Sequence, residues 1–132
     1  MFQLVYLVVV NGTSILLLHQ IEDIKMRQVN TLDSTQFYDT VVNAKGIQLV
    51  DFYAEWCGPC KVMNPLMQQL QDDLDGKITV VKVDVDSHPD IPARYAVRGM
   101  PTMMIFKDGQ PEDVIVGAQS YQALRARVDK HL

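Results

Sequence analysis

Val50-Asp51-Phe52-Tyr53-Ala54-Glu55-Trp56-Cys57-Gly58-Pro59-Cys60-Lys61 joins an apolar run to two cysteines three positions apart. The run reaches back to Ile47 and is too short for a typical helix, so Ile47 to Ala54 reads as a strand buried on both faces. Asp51 interrupts it, a carboxylate at a place where burial disfavours charge. Downstream, Met63, Leu66, Met67, Leu70 and Leu74 recur at helical spacing and predict a helix from about Cys57 to Leu74. Pro65 falls inside that helix and should kink it, and Gly76 ends it.

If Cys57 opens this helix, Cys57 and Cys60 are neighbours one turn apart, with Cβ atoms about 5 to 6 Å from each other. A disulfide needs Cα atoms roughly 4.4 to 6.8 Å apart, so small local shifts close or open the bond. A structural disulfide would normally close a longer loop, because the entropic gain grows with loop length. The spacing therefore suits a reversible switch. Free amide N–H groups and the helix dipole favour a thiolate at Cys57. Cys60, one turn inside, should be shielded. Cys57 is then the expected nucleophile and Cys60 the resolving cysteine, while Pro59 removes one N–H donor and stiffens the turn.

Around this centre the chain alternates apolar and polar segments. Asp33 can cap a helix with Gln36 as its reciprocal partner, and the pairs Phe37/Val41 and Tyr38/Val42 carry that helix to about Asn43. Gly46 ends it. Ile78 to Val85 reads as a second buried strand, and Asp90 to Tyr95 as a short helix. Thr102 to Phe106 and Glu112 to Val116 are strands, and the link Lys107-Asp108-Gly109-Gln110 implies a tight antiparallel hairpin. Ser120 can cap a last helix with Tyr121, Leu124 and Val128 on one face. With a first strand around Arg27, the order is β-α-β-α-β-α-β-β-α. That order predicts an α/β fold, a mixed central sheet flanked by helices on both faces.

Composition narrows the function. The 132 residues suit one domain with an adequate core. The net charge of −4 argues against nucleic-acid binding, since no basic excess exists to neutralise phosphates. Two cysteines are too few for a scaffold held by disulfides. His19, His88 and His131 are scattered and make no ligand spacing with the cysteine pair, so no metal site is expected. A redox pair in a reducing compartment is the better reading.

The segment Val50 to Lys61 resembles the active-site segment of the thioredoxin family, and the likeness covers about residues 27 to 132. It includes Arg98-Gly99-Met100-Pro101-Thr102, similar to the family's cis-proline loop, and Phe106-Lys107-Asp108-Gly109 and Val116-Gly117-Ala118 further on. A C-x-x-C alone is weak evidence, whereas W-C-G-P-C followed at this distance by G-x-P-T is specific. The resemblance implies the thioredoxin fold and a protein-disulfide reductase with no bound cofactor. Its partners would be protein disulfide substrates and a flavin reductase that draws on NADPH. Gly58-Pro59 between the cysteines resembles the reducing members. An oxidase or isomerase of the same fold, or a non-catalytic binding subunit, are the alternatives.

Residue by residue, Asp51 matches the family's buried carboxylate beneath the cysteines. On a strand buried on both faces its pKa should rise, and it can accept a proton from Cys60 when Cys60 must attack. Lys82 resembles the family's lysine near that carboxylate and would tune it, with its stem packed on the face that carries Val80. Pro101 resembles the cis-proline, a bond that costs only about 0.5 to 1 kcal/mol relative to trans. It would turn the Met100 backbone towards Cys57, where an extended substrate can pair as an added strand. Trp56, Gly58, Gly99, Gly117 and Ala118 would shape an apolar, low-relief docking surface. Met63, Met67, Met103 and Met104 read as core filler. Tyr53 departs from the pattern, since many members have Trp there.

The two expected parts of the chain are an atypical apolar extension, 1–24, and a thioredoxin domain, 25–132. Residues 1–21 contain no Lys, Arg, Asp or Glu. Three readings of the extension stand open. One is a hairpin turning at Asn11-Gly12. Another is a signal or membrane anchor, against which stand the lack of a preceding basic residue and the split of the apolar run by Asn11-Gly12-Thr13-Ser14. The third is that translation naturally begins at Met26. The expected location is cytoplasmic, with membrane attachment or export open only through residues 1–24.

Overall fold

The structure, a computed structural model, describes residues 28–132. In chain order these residues form β1 (Asn30–Thr31), α1 (Ser34–Phe37, continued by a π-helical turn over Tyr38–Val42), β2 (Ile47–Tyr53), α2 (Gly58–Asp73), β3 (Ile78–Asp84), α3 (Asp90–Arg94), β4 (Thr102–Lys107), β5 (Gln110–Val116) and α4 (Tyr121–Asp129). The strands make one mixed sheet in the order β1-β3-β2-β4-β5.

β2 is the centre. All seven of its residues are buried. It pairs in parallel with β3, Asp51 facing Lys82, and antiparallel with β4, Asp51 facing Met103. Because side chains alternate along a strand, the core divides into two clusters. Val50, Phe52, Val81, Val83, Met104 and Phe106 pack with Phe37 and Val41 of the first helix and Ile91 of α3. Leu49, Val80, Met103 and Ile105 pack with Met63, Met67 and Leu70 of α2 and with Leu124 and Val128 of α4. Asp51 shares the alternation of Leu49, so it belongs to the sheet face that α2 covers.

Local signals explain most element ends. Asp33 caps α1 and forms a reciprocal capping box with Gln36. Asp108 and Gly109 both have positive φ, 50° and 82°, as a tight hairpin turn between β4 and β5 requires. Only glycine fits the second position: a Cβ on Gly109 would lie 2.1 Å from the Val42 carbonyl oxygen. Ser120 caps α4 by accepting from the Ala123 N–H. Buried Gln71 joins α2 to β3, accepting from the Val80 N–H at 2.6 Å and donating to the Ile78 carbonyl at 3.3 Å.

Several boundaries differ from the sequence reading. Arg27 lies outside the described residues, and the first described strand is Asn30–Thr31, which pairs with Val81 and Lys82. The first helix closes in a π-helical turn, where the Asn43 N–H reaches the Tyr38 carbonyl. β3 is less buried than expected, with Thr79 exposed and Lys82 and Asp84 half-buried. α2 continues past Pro65 without interruption. The readings of residues 1–24 lie outside the described residues. Among the described residues no helix is long and apolar enough to cross a membrane.

Candidate active site

β2 delivers the chain to the cysteines. After Tyr53 the Ala54 carbonyl accepts from the Cys57 N–H, turning the backbone into α2. Cys57 is the N-cap of that helix, with an extended backbone, and its Sγ accepts from the Cys60 N–H at 3.2 Å. Gly58 and Pro59 fill the first two helical positions, where a missing N–H costs nothing. The first turn contains no acidic residue to oppose an anion at Cys57. Cys57 and Cys60 are joined in a disulfide with Cα atoms 5.3 Å apart, inside the range the spacing predicts.

Burial does not separate the two sulfurs as expected. Cys57 is 4% exposed and Cys60 1% exposed, so in the disulfide state both are covered. What distinguishes them is position, since Cys57 alone caps the helix. Beside them Trp56 is 71% exposed, and its indole N–H donates to Asp86 at 2.8 Å. Asp86 sits in a turn after β3 that Asp84 organises by accepting from the Asp86 and Ser87 N–H groups.

The Met100–Pro101 peptide is cis. Pro101 is buried, and half-buried Met100 packs on the core cluster that includes both cysteines. The Gly117 N–H donates to the Pro101 carbonyl at 2.8 Å, tying the end of β5 to this loop. Thr102 Oγ1 donates to the Gly99 carbonyl at 2.5 Å. Gly99 and Ala118 are exposed, and a Cβ at Gly58 or Gly99 would meet nothing within 4 Å. Gly117, with φ of +87°, is the position among them where the backbone itself favours glycine.

Asp51 is fully buried, and neither carboxylate oxygen has a hydrogen-bond partner. Burial raises its pKa from 3.8 to about 6, and the Lys82 charge pulls the other way. Lys82 does not reach it. The ammonium donates to Asn64 Oδ1 at 2.7 Å and lies 4.1 Å from the centre of the Tyr53 ring. Among the described residues no group of three His, Cys, Asp or Glu could hold a metal.

The thioredoxin family model matches residues 28–130. The chain belongs to the thioredoxin family. Thioredoxins of Staphylococcus aureus strains Mu50 and MW2 are each 47% identical to it over 95 residues, covering 72% of this chain and 90% of theirs. A solved mutant thioredoxin from Halobacterium salinarum superposes with a TM-score of 0.72 at 32% identity, covering 80% of this chain and 92% of that one. As a thioredoxin-family member with an intact cysteine pair, the protein is a thiol–disulfide oxidoreductase acting as a protein-disulfide reductase. Its redox carrier is the cysteine pair itself, and members of the family use no bound cofactor.

Sequence reasoning missed two residues of this region. Asp86 carries a signal that could have been read, since Asp84-Val85-Asp86-Ser87 after a strand is a pattern for a side-chain-capped turn. Asn64 carries none, because an asparagine on an exposed helix face looks like any solvated residue.

Proposed function

We propose that Cys57 is the attacking thiol and Cys60 the resolving one in reduction of protein disulfides. The observation that carries this order is the N-cap position of Cys57, whose sulfur already accepts a backbone N–H of the first helical turn. That N–H and the helix dipole stabilise a thiolate there. The thiolate attacks one sulfur of a substrate disulfide, forming a mixed disulfide and expelling the other sulfur as a thiolate that takes up a proton. Cys60 gives its proton to Asp51, attacks Cys57 Sγ, closes the Cys57–Cys60 bond and expels the second substrate thiolate. Asp51 passes the proton on, so two thiols of the enzyme become a disulfide and one substrate disulfide becomes two thiols.

Asp51 suits this part because its burial makes it a weak acid near neutral pH. Lys82 moderates that effect by its charge. Trp56, Gly58, Pro59, Gly99, Met100, Pro101, Gly117 and Ala118 form the surface on which an extended substrate segment docks. A flavin reductase fed by NADPH returns two electrons and two protons to the cysteine pair. The domain begins near Lys25, the extension of residues 1–24 takes no part in the chemistry, and the enzyme works in the cytoplasm. Cys60→Ser tests the order of attack: it should accumulate a mixed disulfide with reduced-and-reoxidised protein substrates, whereas Cys57→Ser should not. Trapping by Cys57→Ser instead would reverse the assignment.

A further inference from the structure

Asp51 and Lys82 stand directly opposite each other in the β2–β3 register. Opposite charges at facing positions ordinarily attract, and a lysine stem is long and flexible enough to seek its partner. Yet both Asp51 oxygens lack a hydrogen bond, and the ammonium is committed elsewhere. Two groups hold it there. Asn64 Oδ1 accepts from Nζ at 2.7 Å, and the face of Tyr53 lies beneath it at 4.1 Å, a favourable place for a cation.

We propose that Asn64 is a positioning residue: its side-chain oxygen anchors the Lys82 ammonium away from the Asp51 carboxylate, which leaves Asp51 able to take the proton of Cys60. The inference rests on the reading of Asp51 as that proton acceptor. An ammonium in contact with the carboxylate would keep it ionised and make it a poorer base. An ammonium wholly in water would leave burial unopposed. Asn64 sets a point between these limits.

The other groups that bear on Asp51 do not supply this adjustment. Opposite it on β4 stands Met103, which is uncharged. The cysteines at the start of α2 do not titrate while they are bonded. On the same face, α4 carries Arg125 and Arg127, which are committed to Asp129 and Asp113. Tyr53, on the same strand as Asp51, has its own pKa raised, chiefly by burial, and stays neutral near pH 7. Lys82 is the cation whose distance matters, and Asn64 fixes it.

The test follows the Asp51 carboxyl by carbon NMR across pH in the full-length disulfide form, where no thiol titrates. Asn64 is exposed on α2, and alanine is the better helix former, so Asn64→Ala folds. Its Asp51 midpoint should fall by about one pH unit as the ammonium closes on the carboxylate. In a Lys82→Met background the same substitution should move the midpoint by no more than about a fifth of a unit, because the group through which Asn64 acts is gone. In the reduced enzyme, the pH profile of the resolving step should shift in the same direction in Asn64→Ala. A midpoint that stays or rises in Asn64→Ala, or falls equally without Lys82, overturns the role of Asn64 and leaves the function of the cysteine pair untouched. A wild-type Asp51 that does not titrate near pH 6 instead overturns the proton-acceptor reading beneath it.

Discussion

Asp51→Asn separates the electrostatic cost of a buried carboxylate from its use. In the folded protein Asp51 ionises with a pKa of about 6 against an ordinary 3.8. Each unit of difference is worth about 1.4 kcal/mol, so ionisation costs the fold about 3 kcal/mol once it is complete. The sign follows from the direction of the shift. Below pH 3.8 the group is protonated in both folded and unfolded chains and costs nothing. Between pH 3.8 and 6 the unfolded chain releases its proton first, and the folded state loses stability as pH rises. Above pH 6 the loss is constant. Asparagine has no such dependence.

The stability of Asp51→Asn relative to wild type should therefore rise by about 3 kcal/mol between pH 3.5 and pH 7.5. The amide brings a cost of its own, since the buried oxygens it replaces have no partners. That cost, about 1 to 3 kcal/mol, is the same at both pH values and cancels from the difference. Urea unfolding of the disulfide form at a series of pH values measures it. A difference that stays constant within about 0.5 kcal/mol across that range would refute the claim that Asp51 is forced to ionise in an apolar site. The same variant should resolve its mixed disulfides at least about tenfold more slowly near pH 7, since a general base is lost. Normal resolution would show that the carboxylate is merely tolerated.

Trp56→Ala should raise the KM for insulin reduction about threefold to tenfold while costing less than about 1 kcal/mol of stability, because the side chain is 71% exposed. A collapse of stability would make Trp56 a residue of the fold. Gln71→Ala should cost about 1 to 3 kcal/mol in a urea melt by orphaning the Val80 N–H and the Ile78 carbonyl; its specific activity should stay at the wild-type level, and a selective loss of activity would contradict a purely structural role. Deletion of residues 1–24 should leave insulin reduction within about twofold, since every residue proposed for the site lies between Asp51 and Ala118. A folded truncation without activity would overturn the division of the chain.

What could be read from the sequence follows from how far apart the interacting residues lie. The capping box of Asp33 and Gln36, the turn at Asp108-Gly109, the cap at Ser120 and the disulfide pair all involve residues within four positions of one another. Their geometry is dictated by local backbone rules, so each was legible, and so were the long strands whose burial shows as an apolar run. The short β1 was not legible because two residues that pair with Val81 and Lys82 have no pattern of their own. The electrostatics of the site were only half legible for the same reason. Burial of Asp51 follows from its strand, but the fate of Lys82 depends on Asn64, one helix away, and on the ring of Tyr53. Two opposite charges in register look like an ion pair until the third residue that separates them is placed. A thioredoxin-family centre can thus keep the same cysteines, carboxylate and lysine while a neutral residue on the first turns of α2 changes how strongly the carboxylate holds its proton.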